Sequence, residues 1–217
     1  MKLIIWDFDG TLADTRPLIE AGMDHALAKL DLPATVKAEW LKYVGLPLED
    51  GINRTFGPLG FTLEQILPAY RSFRHIDHED MIQGFVGITG LLGELHALGL
   101  PMAIASSKRG EPLRRQVLAL GWGGFFDPIV TPDEVVNGKP DPESLVLCLA
   151  AHGLRPEEAV MVGDTPFDLE MAQRAGVPSV AVGHGFYGAE ALGAYGPRAY
   201  ANDTAALREI LLAWSRS

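Results

Sequence analysis

Short, uninterrupted apolar runs punctuate this chain, and each reads as a strand buried on both faces. The first, Leu3-Ile4-Ile5-Trp6, stops abruptly at Asp7. Met102-Ala103-Ile104-Ala105, Ile129-Val130, Val160-Met161-Val162 and the stretch from Val177 to Val182 follow. Between the runs, apolar positions switch to helical spacing. Leu91, Leu92, Leu95 and Leu98 fall on one helical face ahead of Gly99, and Leu113, Val117, Leu118 and Leu120 do the same ahead of Gly121. Met171, Ala172 and Ala175 lead into Gly176, a third glycine stop. Gly87 to Gly90 and Gly193 to Gly196 read as loop punctuation. Strand alternating with helix predicts an α/β fold, a parallel sheet with helices on both faces.

The rhythm breaks between about Thr15 and Gln83. His25 to Leu30, Glu39 to Tyr43 and Leu48 to Phe56 carry helical patterns, and Thr62-Leu63-Glu64-Gln65 is a capping box opening another helix. No buried strand is evident there. The expectation is an inserted α-helical cap domain over residues 15–83, with residues 1–14 and 84–217 forming the α/β core.

Composition narrows the function. Apolar residues make up 47% and charged residues 21%, so the chain can bury a real core and is not disordered. Met1-Lys2 runs straight into the first strand, so no signal peptide is expected. No apolar run approaches the roughly 20 residues that span a bilayer. A cytoplasmic protein is the default expectation. The single cysteine, Cys148, lies in an apolar helical stretch and reads as a buried structural thiol; one cysteine excludes an intramolecular disulfide and a four-cysteine zinc site. The formal net charge of −10 argues against nucleic acid or an anionic membrane as partner. An anionic substrate is compatible only where a metal, lysines and helix N-termini supply positive charge locally.

Four groups of residues fall at or just past predicted strand ends, the edge where open α/β sheets bind ligands. In Asp7-Phe8-Asp9-Gly10-Thr11 two carboxylates stand two residues apart on the same side of the chain. Such a pair is tolerable chiefly around a cation, and hard oxygen donors favour Mg²⁺. In Ile104-Ala105-Ser106-Ser107-Lys108 a strand ends in hydroxyls and a lysine, and Ser106 offers its hydroxyl and backbone N–H to a phosphate oxygen. Asn137-Gly138-Lys139-Pro140-Asp141-Pro142 holds a lysine on a stiffened loop, a point charge for a transferring phosphoryl group. In Val162-Gly163-Asp164-Thr165-Pro166-Phe167-Asp168 a further acidic strand end is followed by an aspartate in the first turn of a helix. Each group alone has a plainer reading: a solvated turn, a serine cap, a surface lysine, a helix N-terminal acid. All four together, in this order, do not.

These four motifs resemble those of the haloacid dehalogenase superfamily of phosphohydrolases, and the insertion after the first motif is where that family carries its helical cap. Asp9-Gly10-Thr11-Leu12-Ala13-Asp14-Thr15, Val44-Gly45-Leu46-Pro47-Leu48, Gly138-Lys139-Pro140-Asp141-Pro142 and Gly163-Asp164-Thr165-Pro166-Phe167-Asp168 are most similar to the phosphoglycolate phosphatase-like subfamily. The chain departs from many relatives at Val86-Gly87, where they carry Pro-Gly, and at Ser106-Ser107-Lys108, where they carry Thr-Asn-Lys. The resemblance implies a Rossmann-like core and a Mg²⁺-dependent phosphatase acting on a small phosphorylated metabolite, 2-phosphoglycolate or similar, as a monomer or homodimer. It implies Asp7 as the nucleophile that becomes an aspartyl-phosphate, and Asp9 as general acid and then base. Ser106 and Lys139 would hold the phosphoryl oxygens. The implied Mg²⁺ set is Asp7, the Asp9 backbone carbonyl and Asp164, with Asp168 behind them. Gly10, Thr11, Ser107 and Lys108 are expected around the substrate, with Arg54, Arg71 and Arg74 as candidates to meet a substrate carboxylate and His184 at the rim. A sugar-phosphate mutase of the β-phosphoglucomutase type shares these motifs. A non-catalytic metal or phosphate-binding module is the alternative of another class; its best support is His75-Ile76-Asp77-His78-Glu79-Asp80.

Overall fold

Every residue of Leu3–Trp6 is buried, which requires a strand covered on both faces. The computed structural model describes residues 1–215. Its strands are β1 (Leu3–Trp6), β2 (Ala13–Asp14), β3 (Gln83–Gly84), β4 (Met102–Ala105), β5 (Ile129–Val130), β6 (Ala159–Gly163), β7 (Ser179–Val182) and β8 (Ala199–Ala201). Its α-helices are α1 (Arg16–Lys29), α2 (Val36–Leu41), α3 (Leu48–Phe56), α4 (Leu63–Arg71), α5 (Ile88–Ala97), α6 (Gly110–Ala119), α7 (Glu143–His152), α8 (Pro166–Ala175), α9 (Ala189–Gly193) and α10 (Thr204–Ser215). Six strands form one parallel sheet in the order β5-β4-β1-β6-β7-β8. The chain builds outward on one side of β1 and then returns to build on the other, so β1 and β6 flank the switch point.

Side-chain alternation distributes the core. Ile4 and Trp6 face one layer, with Leu92 and Leu95 of α5 and Leu207 and Leu211 of α10. Leu3 and Ile5 face the opposite layer, with Leu145 and Cys148 of α7 and Met171 and Ala172 of α8. Cys148 is fully buried, as its apolar surroundings predict, and burial pushes its thiol pKa up to about 12.

Helices α1 to α4 gather a separate cluster, including Met23, Trp40, Ile52, Phe56, Ile66 and Tyr70. The expected capping box forms at the start of α4, where the Thr62 N–H donates to Gln65 Oε1 at 2.8 Å. The chain leaves the sheet through β2 and returns through β3, and these two short strands pair antiparallel with Asp14 opposite Gln83. No helix among the described residues is long and apolar enough to cross a membrane.

Two sequence expectations are corrected, and one strand is added to those the sequence predicts. The segment after Gly87 is the first turn of α5 and not a loop; Gly87 itself has φ +87° and only turns the chain into the helix. Leu98 and Leu118, placed on apolar faces by spacing, are 57% and 67% exposed, because α5 has ended by Leu98 and α6 turns Leu118 outward. Strand β8 lacks an apolar run because it is the sheet edge, with Ala199 and Tyr200 only half-buried.

The helix phase is testable. Leu95→Ala should destabilise the protein by roughly 2–5 kcal/mol, since Leu95 is fully buried, whereas Leu98→Ala should stay within about 0.5 kcal/mol. Urea unfolding monitored by circular dichroism measures both, and equal losses would overturn this packing.

Candidate active site

The C-terminal ends of β1, β4 and β6 converge, and each presents one of the sequence motifs. Asp7 follows β1 and is anchored by its N–H to the Val162 carbonyl at 2.9 Å. Its Oδ1 accepts from Lys139 Nζ at 2.6 Å. The same ammonium donates to Asp168 Oδ1 at 2.6 Å, and all three side chains are essentially buried. Asp168 sits in the first turn of α8 as half of a capping box, its Oδ2 accepting from the Thr165 N–H at 3.1 Å and hydroxyl at 2.7 Å. It is therefore both a helix N-terminal acid and a holder of the lysine. Backbone approach is close: a Cβ on Gly163 would lie 2.4 Å from Asp168 Cβ.

Asp164 follows β6. Its Oδ1 accepts from Thr11 Oγ1 at 2.8 Å and its Oδ2 from the Phe186 N–H at 2.7 Å. Gly10 and Gly185 close over this carboxylate, where added Cβ atoms would lie 2.4 Å and 2.1 Å from Asp164 Oδ2. Carboxylate oxygens of Asp7, Asp164 and Asp168 lie within 4.8 Å of one another. The electrostatic consequence follows. Burial pushes the Asp7 carboxyl up to about 7, opposed by Lys139 and reinforced by Asp168 and Asp9. Burial, then the Asp7 and Asp168 charges, raises Asp164 well above the usual carboxylate range despite its two donors. Burial pulls the Lys139 ammonium down, but Asp168 and Asp7 together outweigh it and hold its pKa above the ordinary lysine value.

A crowded set of buried, hard oxygen donors with only one matching ammonium is the environment a divalent cation relieves. The donors fit Mg²⁺. Asp168 is committed to the Lys139 ammonium and the α8 cap, whereas Asp164 accepts only from neutral donors, the Thr11 hydroxyl and the Phe186 N–H, so Asp7 and Asp164 are the carboxylates left to turn to an ion. The Asp9 side chain stands outside this cluster; Lys108 Nζ donates to its Oδ1 at 2.5 Å.

A cavity of about 290 Å³ opens beside Asp7, Asp9 and Ser106, with helices α1 to α4 forming much of its wall. Ser107 and Lys108 line it, and Ser107 Oγ also donates to the Gly45 carbonyl at 2.7 Å. The Ser106 hydroxyl reaches this region, but its backbone N–H is committed to the Val130 carbonyl at 3.0 Å. That N–H is part of the sheet and does not meet a ligand. Arg71 lines the cavity, whereas Arg54 lies over the Tyr43 ring on the exposed side of α3 and Arg74 pairs with Asp77. His184 sits beneath the first-motif loop, its Nε2 3.0 Å from the Thr11 carbonyl and its ring 4.1 Å from that of Phe85. The residues His75 to Asp80 do not converge on an ion. Asp77 is held by Arg74, Glu79 by Arg115 and Gln116, and His75 and His78 pack against Phe73.

Spacing did not reveal several contributors. The Phe186 N–H, Gln116 and Glu49 reach the site from distant segments. Gln116 Oε1 accepts from Lys108 Nζ at 2.8 Å, and its Nε2 donates to Glu79 Oε1 at 2.9 Å.

Comparison with known proteins agrees with this geometry. The profile of the family described as Haloacid dehalogenase-like hydrolase matches residues 4–182. Pyrophosphatase PpaX of Bacillus velezensis is 33% identical over 197 residues, covering 89% of this chain and 88% of that protein. A hydrolase of the haloacid dehalogenase-like family from Streptococcus pneumoniae superposes with a TM-score of 0.82 at 25% identity, covering 99% of this chain and 98% of the other. A predicted phosphoglycolate phosphatase from Haemophilus somnus superposes with a TM-score of 0.86 at 20% identity, over 97% of this chain and 98% of that one. With its motifs gathered on one sheet edge and residues 4–182 matched by the family profile, the chain belongs to the haloacid dehalogenase-like hydrolase family.

Proposed function

We propose that this protein is a Mg²⁺-dependent phosphatase that hydrolyses a small phosphate monoester through an aspartyl-phosphate on Asp7. The observation that carries this reading is the Lys139 bridge between Asp7 and Asp168, set beside Asp164 at the end of a cavity that Asp7, Asp9 and Ser106 share. The relatives named for pyrophosphate and phosphoglycolate support phosphate as the group transferred. Residues 15–83 act as the cap over a core made of residues 1–14 and 84–217, and the cavity lies between them.

An Asp7 carboxylate oxygen attacks phosphorus while the bond from phosphorus to the leaving oxygen breaks. Lys139 holds the carboxylate oxygen of Asp7 that does not attack, and steadies the equatorial oxygens as charge spreads over them. Ser106 donates through its hydroxyl. Asp9 gives its proton to the leaving alkoxide, then takes one from the water that attacks phosphorus and releases Asp7. Lys108 keeps the Asp9 carboxyl aimed into the cavity. Asp7, Asp164 and the Asp9 backbone carbonyl would hold Mg²⁺, with Asp168 orienting Lys139. When bound, Mg²⁺ supplies the positive charge that lets an anionic nucleophile approach an anionic substrate.

Phosphate release from a panel of phosphomonoesters, with and without EDTA, tests the reading. Asp7→Asn should abolish turnover, by roughly 10⁴-fold or more, while circular dichroism shows the protein folded. Retention of near wild-type activity would sink the covalent assignment.

The buried acids also give a pH prediction. The folded-state pKa of Asp7 is raised to about 7, and that of Asp164 moves the same way. In the metal-free protein the folded state therefore binds more protons than the unfolded one above the ordinary carboxylate pKa, and stability falls as pH rises toward about 7. Saturating Mg²⁺ should raise Tm by roughly 5–10 °C near pH 7.5 and by clearly less near pH 5, where protons already neutralise the cluster. Differential scanning fluorimetry measures this, and Asp164→Asn should remove most of the Mg²⁺ effect. A Tm gain independent of pH would count against a metal at this cluster.

A further inference from the structure

Gln116 lies on α6 and is only 4% exposed, so both ends of its amide need partners inside the protein. Its Oε1 accepts from Lys108 Nζ and its Nε2 donates to Glu79 Oε1. The neighbours fix which end is which. Lys108 can only donate. The Arg115 guanidinium outweighs burial and keeps the Glu79 pKa below the usual value, so Glu79 is ionised and can only accept. A flipped amide would set donor against ammonium and oxygen against carboxylate. Glu79 belongs to the short 3₁₀ stretch His75–Met81, just before β3, and takes Arg115 Nε at 2.9 Å and Nη2 at 2.8 Å. At the other end, Lys108 Nζ donates to Asp9 Oδ1 at 2.5 Å and lies 4.9 Å from the centre of the Phe8 ring. Among the described residues this ammonium is the one hydrogen-bond donor to the Asp9 side chain, and Gln116 is its one acceptor besides Asp9.

From this chain of contacts we infer that Gln116 is a positioning residue for the proton transfers of Asp9: it fixes the Lys108 ammonium, and through it the Asp9 carboxyl, against an anchor made by Glu79 and Arg115. The inference rests on the phosphatase reading above and adds to it a residue that acts through Lys108 rather than on phosphorus. Lysine carries its charge on a flexible stem, so without Gln116 the ammonium and the carboxyl it holds can swing together into the cavity. A proton donor misplaced by about an ångström can lose about 10²-fold in rate. The loss depends on what leaves. As the bond from phosphorus to an alkyl oxygen breaks, its electron pair stays on that oxygen, which takes the Asp9 proton. A p-nitrophenolate departs without one.

Two esters in Mg²⁺ buffer, isobutyl phosphate and p-nitrophenyl phosphate, test it through kcat/KM, which ends at departure of the leaving group, before water enters. Gln116→Met keeps the volume and loses both hydrogen bonds. In it kcat/KM for isobutyl phosphate should fall about 30-fold and that for p-nitrophenyl phosphate by less than about threefold. Gln116→Asn, too short to bridge both partners, should shift the ratio in the same direction. Val117→Ala, a buried apolar change on the same helix, should lower Tm and leave the ratio where it is in the wild type. An equal fall for the two esters or none, a rise in KM for both without the split, an equal shift in Val117→Ala, or failure of both glutamine variants to fold would each overturn the inference while the phosphatase reading stands. Release of phosphate from neither ester by the wild type would overturn the phosphatase reading, and this inference with it.

Discussion

One ammonium held between two buried carboxylates organises this molecule. Lys139 contacts Asp7 and Asp168 at 2.6 Å each, and none of the three is appreciably exposed. Desolvating such ions costs several kcal/mol apiece, and removing one partner from a buried pair typically costs about 3–5 kcal/mol. The arrangement survives because three separate parts of the chain deliver its members rigidly. Strand β1 ends at Asp7, at the centre of the sheet. The capping box at the start of α8 engages one Asp168 oxygen and so presents the other to the lysine. Gly138, beside Lys139, packs against Pro47 so closely that a Cβ would lie 2.5 Å from the proline ring, which ties the lysine loop to the segment before α3.

The remaining charge does not balance, and the imbalance is what gives the site its chemistry. Asp164 adds a third buried carboxylate within 4.8 Å of the others, with Lys139 the one ammonium bridging the group. Its own donors, the Thr11 hydroxyl and the Phe186 N–H, are neutral. A protein with a net charge of −10 offers no general attraction to an anionic substrate, so the field must be inverted locally. Gly10 and Gly185 allow the backbone to close on Asp164 where any side chain would collide. This is why two loops far apart in sequence, one after β1 and one after β7, meet at a single carboxylate.

The sequence was legible where burial is two-sided and where chemistry sits at a strand end. Strand β1 and the other central strands read plainly because both faces are covered, so their apolar runs are unbroken. Asp7, Ser106 and Asp164 were findable because each follows such a run, whereas Lys139 sits on a loop well past β5 and was findable only through its Gly-Lys-Pro setting. Periodicity failed at Leu98 and Leu118, since spacing gives a helical face but not where the helix ends or which part of it docks. Strand β8 was missed because an edge strand need not be apolar on both sides. Glu49 and Gln116 were invisible for a different reason. Their partners Arg109 and Lys108 lie outside their own helices, and nothing local distinguishes a glutamate that bridges two arginines from one on a solvated helix face. The Ser106 N–H shows the converse error: motif logic offered it to a ligand, but a residue continuing a strand pairs its N–H across the sheet before anything else.

The buried acids and the cavity wall are built from different parts of the chain. Asp7 and Asp164 hang from the sheet, whose two core layers include Ile4 and Trp6 on one side and Leu3 and Ile5 on the other. The side of the cavity away from Asp7 comes mainly from helices that pack around Met23, Trp40, Ile52 and Phe56, a cluster of their own. Trp40 and Tyr70 belong to that cluster and also line the cavity, so its packing and its shape are set together. The two parts are joined at Gly138 against Pro47 and at Phe186, which packs on the helical cluster while its N–H holds Asp164. The side of the cavity away from Asp7 is therefore shaped by how helices α1 to α4 pack on one another.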